Sequence, residues 1–272
     1  MEEVVNPTKA ATPQRLQGQA TRLAYGIYAL WLREFKVFLR EKSRLVASTF
    51  TPLLWLFVVG SGFGSAAVTS VSGVDYQKFL FPGILNMSII FSAVFFGSYI
   101  IWDRKFDFLK SVMVAPVSRG TIFTGKALGG MTSSLIQAAI LIAVGVAIGI
   151  HYSFLSVIES VAIILLLSFT LTSLGLAIGS FMESLEGFQM IVSFVVFPLF
   201  FLSGALFPLD NLPPWLSFLT SVDPATYGVD AMRHIILGVG SKPLELDVGI
   251  LVLFSIALGA IGSVAFNRMK AV

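Results

Sequence analysis

Six long stretches of the chain are almost free of charged residues, and shorter polar segments separate them. They cover residues 46–67, 79–101, 127–150, 157–182, 188–207 and 248–266. Because a helix rises about 1.5 Å per residue, each stretch can cross the ~30 Å hydrocarbon layer of a membrane. Barrel strands would alternate between apolar and polar residues instead. The pattern predicts an all-α polytopic membrane protein with six transmembrane helices.

The segment before the first span, residues 23–44, has a different periodicity. Apolar residues recur at near-helical spacing from Leu23 to Phe38, and cations occupy the other faces. This predicts an amphipathic helix at the membrane interface, with its apolar side at the acyl boundary. A helix that packs on the protein's own loops is the alternative. Residues 1–22 are polar and contain prolines, which predicts a flexible tail.

Between spans five and six, residues 207–240 combine several prolines with many large apolar side chains. A fully solvated loop would not need these hydrophobic residues. We predict two short helices, at about 214–221 and 226–237, that form a re-entrant hairpin at the exit of a translocation path. The candidate residues of this hairpin are Pro213, Pro214, Asp223, Pro224, Tyr227, Asp230 and Arg233.

The placement of cations predicts the orientation. Fifteen of the 18 Lys and Arg residues lie before span one, between spans two and three, or after span six. By the positive-inside rule, both termini are cytoplasmic, residues 46–266 form the membrane domain, and residues 267–272 form a cytoplasmic tail. The net charge of +3 therefore reflects topology, and we expect no nucleic-acid partner.

Several classes of chemistry are disfavoured by composition. The chain has no cysteine and two histidines, so neither a metal site nor a catalytic residue is expected. Residues 120–127 resemble a phosphate-binding loop, but Ala127 replaces the hydroxyl residue that would bind Mg²⁺. No ionisable residue is predicted at mid-depth in a span, which argues against a proton-coupled carrier.

Two carboxylates, Glu183 and Glu186, lie three residues apart in the short turn between spans four and five, with no cation beside them in sequence. As an acid–base pair they would need a substrate pocket, whereas a contact with a partner protein needs nothing further. We favour the partner contact.

Glycines four residues apart recur in the spans. Gly125 and Gly129, and likewise Gly175 and Gly179, follow this spacing. Such pairs indicate close helix packing, either within the subunit or across a dimer. In span one, Pro52 and the glycine-rich residues 60–64 predict a kinked or frayed outer end.

The segment between spans two and three, residues 102–119, mixes charges with apolar residues. We predict a helix over residues 103–114, in which Phe106, Leu109 and Met113 share one face. On the cytoplasmic side such a face suits a groove on a soluble partner. Packing against lipid headgroups is the alternative.

Two motifs carry a family resemblance that extends over residues 22–268. The cytoplasmic segment reads WDRKFDFLKSVMVAPVSR, and the outer segment contains LSGALFPL, LPPWL and DPATYGVDAMR. Both resemble type-2 ATP-binding-cassette (ABC-2) exporter permeases of the daunorubicin-resistance-like and nodulation-exporter-like branches. The chain departs from the common pattern at Lys105, where glutamate is frequent, and at Asp223, where asparagine is frequent.

The resemblance implies two permease copies, two separate ATPase subunits that bind ATP and Mg²⁺, and no cofactor in this chain. It also implies a location in the plasma membrane of a prokaryote. The residues implied in ATPase coupling are Arg104, Lys105, Phe106, Phe108, Leu109, Met113, Pro116, Glu183 and Glu186. Spans one, two and five would line the path, with Phe50, Trp55, Phe57, Asn86, Phe197, Phe200 and Phe201 as candidate lining residues.

The substrate class is predicted from the aromatic residues. The chain has 25 Phe against 4 Trp and 6 Tyr, whereas glycan-conducting paths tend to present Trp and Tyr. This favours a hydrophobic or amphipathic substrate such as a drug or a lipid-like molecule. A polysaccharide or lipid-linked glycan is the alternative, and a secondary carrier or a non-transporting scaffold are hypotheses of another class.

Overall fold

The structure of the chain, a computed structural model, describes residues 13–62, 70–71, 73–108, 117–210 and 212–269. Several predictions fall outside the described residues. They concern residues 1–12 of the predicted tail, residues 63–67 of the first predicted span, residues 270–272, and the coupling residues Leu109, Met113 and Pro116.

The described residues form ten α-helices and one short two-stranded ribbon. The helices are α1 Pro13–Arg40, α2 Lys42–Leu54, α3 Tyr76–Phe95, α4 Ser98–Lys105, α5 Arg119–Ala147, α6 Phe154–Phe181, α7 Leu185–Leu202, α8 Pro214–Val222, α9 Pro224–Leu237 and α10 Leu244–Arg268. The ribbon pairs β1, Ser70–Val71, with β2, Val74–Asp75, in antiparallel register.

Six segments are long and apolar enough to cross a membrane, which confirms the predicted number. Span two consists of α3 and α4 together, with a bend at Phe96 and Gly97. Spans one to six are Lys42–Gly62, Tyr76–Lys105, Arg119–Ala147, Phe154–Phe181, Leu185–Leu202 and Leu244–Arg268.

Both ends of the described chain lie at one end of the helix bundle. Arg119, at the start of α5, donates hydrogen bonds to the backbone carbonyls of Asn267 and Met269, and Lys126 of α5 contacts Glu34 of α1. We call this end the terminal side, and the end that carries α8 and α9 the hairpin side.

Span two is the centre of the bundle. Its most apolar window is 89% buried, whereas the corresponding window of span one is 17% buried. Helix α3 packs against α2, α5, α6, α7 and α9. Nearly every residue from Phe79 to Val94 is buried, so the other spans separate this helix from lipid.

Close backbone contact joins span two to span four. A side chain at Gly97 would collide with the backbone of Gly175, and one at Gly179 would collide with the backbone of Gly97. Gly125 and Gly129 similarly face Leu30 and Glu34 of α1. These glycines therefore serve packing within the subunit, which decides between the two alternatives that their spacing left open.

Span one contains a local distortion in its outer half. A π-helical turn, Trp55–Val59, follows Pro52 and interrupts the regular helix before Gly62. Proline lacks a backbone N–H and favours such irregular hydrogen bonding. The predicted irregularity of this span is confirmed.

The amphipathic helix differs from its predicted bounds. Helix α1 begins at Pro13, before the predicted start at residue 23. It ends at Arg40, and the next helix, α2, begins at Lys42. It packs along α5, with Leu30, Glu34 and Phe38 buried. The helix therefore rests on span three of its own chain, and its contact with a membrane interface stays a prediction.

The prediction of a single helix over residues 103–114 is wrong for the first part of that range. Helix α4 ends at Lys105, and Asp107 has a φ of 55°, a backbone conformation that ends a helix. Local periodicity favours a continuous helix, but tertiary partners set its end. Arg104 donates to the end of α6, and the guanidinium of Arg33 stacks on the ring of Phe108.

We expect Gly175→Ala to lower the free energy of unfolding by about 1–3 kcal/mol, because the added methyl group meets the backbone of Val94. Gly249→Ala is the matched control, since no atom lies within 4 Å of the added methyl group. In a helix this control should be neutral or stabilising by up to about 1 kcal/mol. Thermal unfolding in detergent measures both, and equal melting temperatures would contradict the close-packing argument.

Candidate functional site

The predicted coupling residues that the structure describes gather on the terminal side. A cavity of about 900 Å³ lies between the end of span two, the turn between spans four and five, and the end of span six. Arg104, Lys105, Glu183 and Glu186 all line this cavity. The structure therefore brings together residues that are about 80 positions apart in sequence.

Arg104 has a structural contact within the chain. Its Nη2 atom donates to the backbone carbonyl of Gly179 at 2.8 Å and also to that of Met182. These carbonyls belong to the last turn of span four and to the residue that follows it, where helical partners are missing. Arg104 therefore fixes the position of the turn that carries Glu183 relative to span two.

The neighbouring coupling residues have unequal exposure. Phe106 is 69% exposed and stacks on Trp102, with 5.6 Å between ring centroids. Lys105 extends over the same Trp102 ring at 5.6 Å. Phe108 is half-buried beneath Arg33, at 3.8 Å from the guanidinium carbon to the ring centroid. An exposed apolar surface therefore begins at Phe106.

Glu183 and Glu186 are exposed, as expected for a turn, but they are not remote from cations. Arg104, Lys105 and Arg268 line the same cavity. The prediction of a turn without compensating charge was therefore wrong. The prediction failed because the three cations belong to other helices, so the sequence around the turn does not contain them.

Three buried charges and one partly exposed arginine, which together we call the charge quartet, lie near this cavity. The quartet consists of Arg33, Glu34, Asp103 and Lys126. Lys126 Nζ lies 3.0 Å from Glu34 Oε1 and also pairs with Asp103 Oδ2. Arg33 donates to Asp103 Oδ1 and to Glu34 Oε1, each at 2.6 Å. Two cations thus neutralise two carboxylates.

The quartet connects three elements. Arg33 and Glu34 belong to α1, Asp103 to α4 and Lys126 to α5. Lys126 is fully buried, and Glu34 and Asp103 are 1% and 3% exposed. Burial alone lowers the pKa of Arg33, but its hydrogen bond to Asp103 and the charges of both carboxylates outweigh burial and raise that pKa. Arg33 therefore remains charged at any physiological pH.

A second polar contact supports the same junction. Trp31 Nε1 of α1 donates to Thr132 Oγ1 of α5 at 2.9 Å. Together with the close approach at Gly125 and Gly129, it places α1 flat against the first half of span three. The apparent phosphate-binding loop at residues 120–127 is thus part of a continuous helix, and its lysine binds carboxylates.

The candidate path residues divide into two sets. Phe50, Phe57, Phe197 and Phe201 are between 45% and 58% exposed and face away from the bundle. Asn86 and Phe200 are at most 1% exposed. Trp55 packs on Phe200 with 6.0 Å between ring centroids, which is a local contact between spans one and five. Asn86 and Phe200 could line a path only if the helices that cover them moved apart.

On the hairpin side, the two predicted short helices are present as α8 and α9. Pro214 and Pro224 are their first residues, and Pro213 and Asp223 precede them. Asp223 Oδ1 accepts a hydrogen bond from the backbone N–H of Ala225 at 2.8 Å. The hydroxyl of Tyr227 donates to the backbone carbonyl of Ser221 at 2.8 Å, which holds α8 against α9.

Helix α9 is enclosed by the bundle, since every residue from Pro224 to Arg233 is buried. Arg233 Nη2 donates to the carbonyl of Gly204 at 2.6 Å, and its guanidinium stacks 3.8 Å from the ring centroid of Phe79. Both oxygens of Asp230 accept backbone N–H groups, from Ser241 and Lys242, at 2.8 Å. The depth of this hairpin in a membrane stays a prediction.

Comparison with known proteins decides the family. A model of the ABC-2 type transporter family matches residues 25–237. The chain belongs to the ABC-2 type transporter family. The ABC-2 match includes both motif segments, so the resemblance drawn from them is confirmed.

Relatives of this ABC-2 permease cover most of its length. Inner membrane transport permease YadH of Escherichia coli (strain K12) is 29% identical over 235 residues, or 84% of this chain and 90% of the relative. Putative transport permease ycf38 of Porphyra purpurea is 31% identical over 212 residues, or 77% and 73%. Nodulation protein J of Rhizobium leguminosarum bv. viciae is 24% identical over 256 residues, or 92% and 98%.

Membership makes the chain a multi-pass membrane transport subunit, and an ABC-2 permease implies an ATPase partner. Sequence reasoning missed the charge quartet of this permease. Asp103 lies in the predicted polar segment 102–119, Lys126 precedes the third apolar window, and Glu34 lies in the predicted amphipathic helix, so the local sequence does not indicate that they meet. The sequence did contain one indication of this pairing. Asp103 and Lys126 carry opposite charges next to the ends of apolar windows, and charges that become buried need partners.

We expect Lys126→Met to lower the free energy of unfolding of the permease by about 3–5 kcal/mol, because two buried carboxylates then share one cation. The double variant Lys126→Met with Glu34→Met restores the balance by leaving the pair Arg33 and Asp103, and it should recover much of the loss. Thermal unfolding of the three proteins in detergent measures this. A single variant as stable as the unsubstituted chain would contradict a structural role for the quartet.

Asp223 gives the hairpin a dependence on pH. Burial raises the pKa of its carboxyl from 3.8 to about 8, against the lowering effect of its bonds to Ala225 and Thr226. Because the folded pKa lies above the unfolded one, Asp223 contributes stability below about pH 4, and this contribution is lost as the pH rises through about 8.

Asp223→Asn retains an oxygen for the Ala225 N–H group and cannot ionise. We expect this variant to melt roughly 5 °C above the unsubstituted permease at pH 9, with the difference shrinking toward pH 5. Melting temperatures recorded between pH 5 and pH 9 test the prediction. A constant difference across that range would show that ionisation of Asp223 has no part in it.

Proposed function

We propose that the chain is the permease subunit of an ATP-driven exporter in the plasma membrane of a prokaryote, with both termini in the cytoplasm. In this proposal two copies form the path, and two separate ATPase subunits bind ATP and Mg²⁺ beneath the terminal side. The permease itself binds no cofactor. Family membership supports the ATPase partner, and the distribution of cations supports the orientation.

One structural observation carries the proposal. The charge quartet fastens the end of span two to α1 and to span three, while Arg104 fastens it to the end of span four. A force applied by an ATPase to residues 102–119 would therefore act on three elements at once. Buried ion pairs resist separation, so these elements would move as a unit.

The exposed faces of spans one and five are the proposed contact with the second copy and with the path. Phe50 and Phe57 of span one, and Phe197 and Phe201 of span five, provide this apolar surface. It favours a hydrophobic or amphipathic substrate, such as a lipid-like molecule or a drug. Transport would require the contact between Trp55 and Phe200 to open, so that substrate could pass between the spans.

We expect Leu109→Asp to abolish the substrate-stimulated ATPase activity of the assembled transporter while insertion of the permease is retained, because a charge would be placed on its apolar coupling face. Phe106→Asp, on an exposed side chain of the same segment, should also reduce stimulation at least tenfold. Phe154→Asp is the matched control, since this phenylalanine is 84% exposed at the start of span four.

The measurement is ATP hydrolysis by the partner with each permease variant in proteoliposomes, with and without amphipathic drugs and lipids. Stimulation that survives both coupling variants would refute the coupling role. Flux driven by a proton gradient without an ATPase would identify a secondary carrier, and partner binding without stimulated hydrolysis would identify a scaffold.

A further inference from the structure

A second cavity, of about 530 Å³, opens on the hairpin side between α8, α9 and the start of span six. Most of the residues in its wall are polar or charged, in a chain that is otherwise strongly apolar. Arg233, Lys242, Asp210 and Asp230 contribute charge, and most of the remaining wall residues carry hydroxyl groups. The coupling mechanism uses none of these side chains.

Arg233 is a buried cation that forms no direct ion pair, although the charges of Asp230 and Asp210 stabilise it electrostatically. It is 6% exposed, and no carboxylate among the described residues forms an ion pair with it. Its Nη2 atom donates to the carbonyls of Gly204 and Ala205, whereas its buried Nε atom has no partner among those residues. Burial lowers the pKa of Arg233 to about 10, so the group is charged at neutral pH. A buried charge of this kind favours an anionic ligand.

The wall has two carboxylates beside its two cations, so it fits a zwitterionic ligand, with a phosphate for the cations and an ammonium group for the anions. Both oxygens of Asp230 already accept backbone N–H groups from Ser241 and Lys242, and Asp210 is exposed at the surface. A further carboxyl, Asp247, is fully buried and is not part of the wall. The second cation, Lys242, lies with its Nζ atom 4.3 Å from the ring centroid of Tyr227.

The hydroxyl groups of the wall act mainly as acceptors. Ser203, Thr220, Ser221 and Tyr227 each donate their hydrogen to a backbone carbonyl, at distances of 2.7–2.9 Å. Their oxygens therefore keep lone pairs that need donors. A ligand that fits this wall combines an anionic group with hydrogen-bond donors.

We propose that this cavity binds a phosphate-bearing polar headgroup that also carries an ammonium group with N–H donors, with Arg233 and Lys242 as the phosphate contacts. The inference rests on the proposed function, in which the headgroup belongs to the amphiphile that reaches the outer leaflet. It adds the polar part of the substrate to the apolar part expected from the phenylalanine-rich spans. The same phosphate chemistry occurs in lipids and in soluble esters.

The test is direct binding to the full chain in phosphatidylcholine nanodiscs, which needs no ATPase. The probes are inorganic phosphate, glycerophosphoethanolamine, glycerophosphocholine and dihexanoylphosphatidylethanolamine, titrated by calorimetry. We expect glycerophosphoethanolamine to bind at least about tenfold more tightly than glycerophosphocholine, whose headgroup lacks donors. Tighter binding of the dihexanoyl lipid than of the soluble ester identifies a lipid as the source.

Arg233→Gln should weaken binding of glycerophosphoethanolamine by roughly tenfold to a hundredfold, since a charge-assisted contact is lost. Because Arg233 also holds two backbone carbonyls, Lys242→Gln provides a second variant, with an expected loss of several-fold. Its backbone N–H still binds Asp230. Lys78→Gln removes a cation that does not line the cavity, and it should leave binding unchanged.

Several results would overturn the assignment. They are absence of binding for every probe, equal affinity for glycerophosphocholine, equal affinity for inorganic phosphate, or affinity unchanged in both cavity variants. Because the measurement uses the permease alone, such a failure leaves the proposed coupling to an ATPase untouched. Failure of the coupling variants would likewise leave a measured headgroup affinity intact.

Discussion

The neutralisation of three buried charges, completed by the partly exposed Arg33, is the constraint on which the terminal side depends. Removing Glu34, Asp103 and Lys126 from water costs several kcal/mol for each ion, and only mutual pairing with hydrogen bonds compensates. The pairing works when α1, α4 and α5 meet at one point. The quartet thus fixes which elements are neighbours, although apolar packing of the same helices supplies most of the favourable free energy.

Direct backbone contact at glycines, which have no side chain, is the second constraint, and it acts on span two. At Gly97, Gly175 and Gly179 the backbones of spans two and four touch, which brings the central helix closer to its neighbour than larger residues permit. In a membrane, where lipid is as apolar as a side chain, such close contact is a principal source of helix association. Span two can therefore be enclosed by the other helices.

Local signals predicted the spans and hairpin helices well. Apolar windows identified six spans, and Pro214 marked the start of the first hairpin helix, whereas the second begins at Pro224, two residues before its predicted start. The windows ended near Asp103 and Lys126 because both are charged, yet the structure buries both. Periodicity reports the environment of one segment, whereas the partner of a buried charge lies in another element. The cations around Glu183 were missed for the same reason.

The two polar regions lie at opposite ends of the bundle, and span two reaches both. At its terminal end Asp103 joins the quartet, and at its other end Phe79 supports the guanidinium of Arg233. Asn86 lies between them and faces Gly228 of α9. Because this helix is packed on nearly all sides, displacement of one end cannot be absorbed by free space and must shift its neighbours. Span two is thus a continuous physical route between the predicted coupling residues at its terminal end and the hairpin.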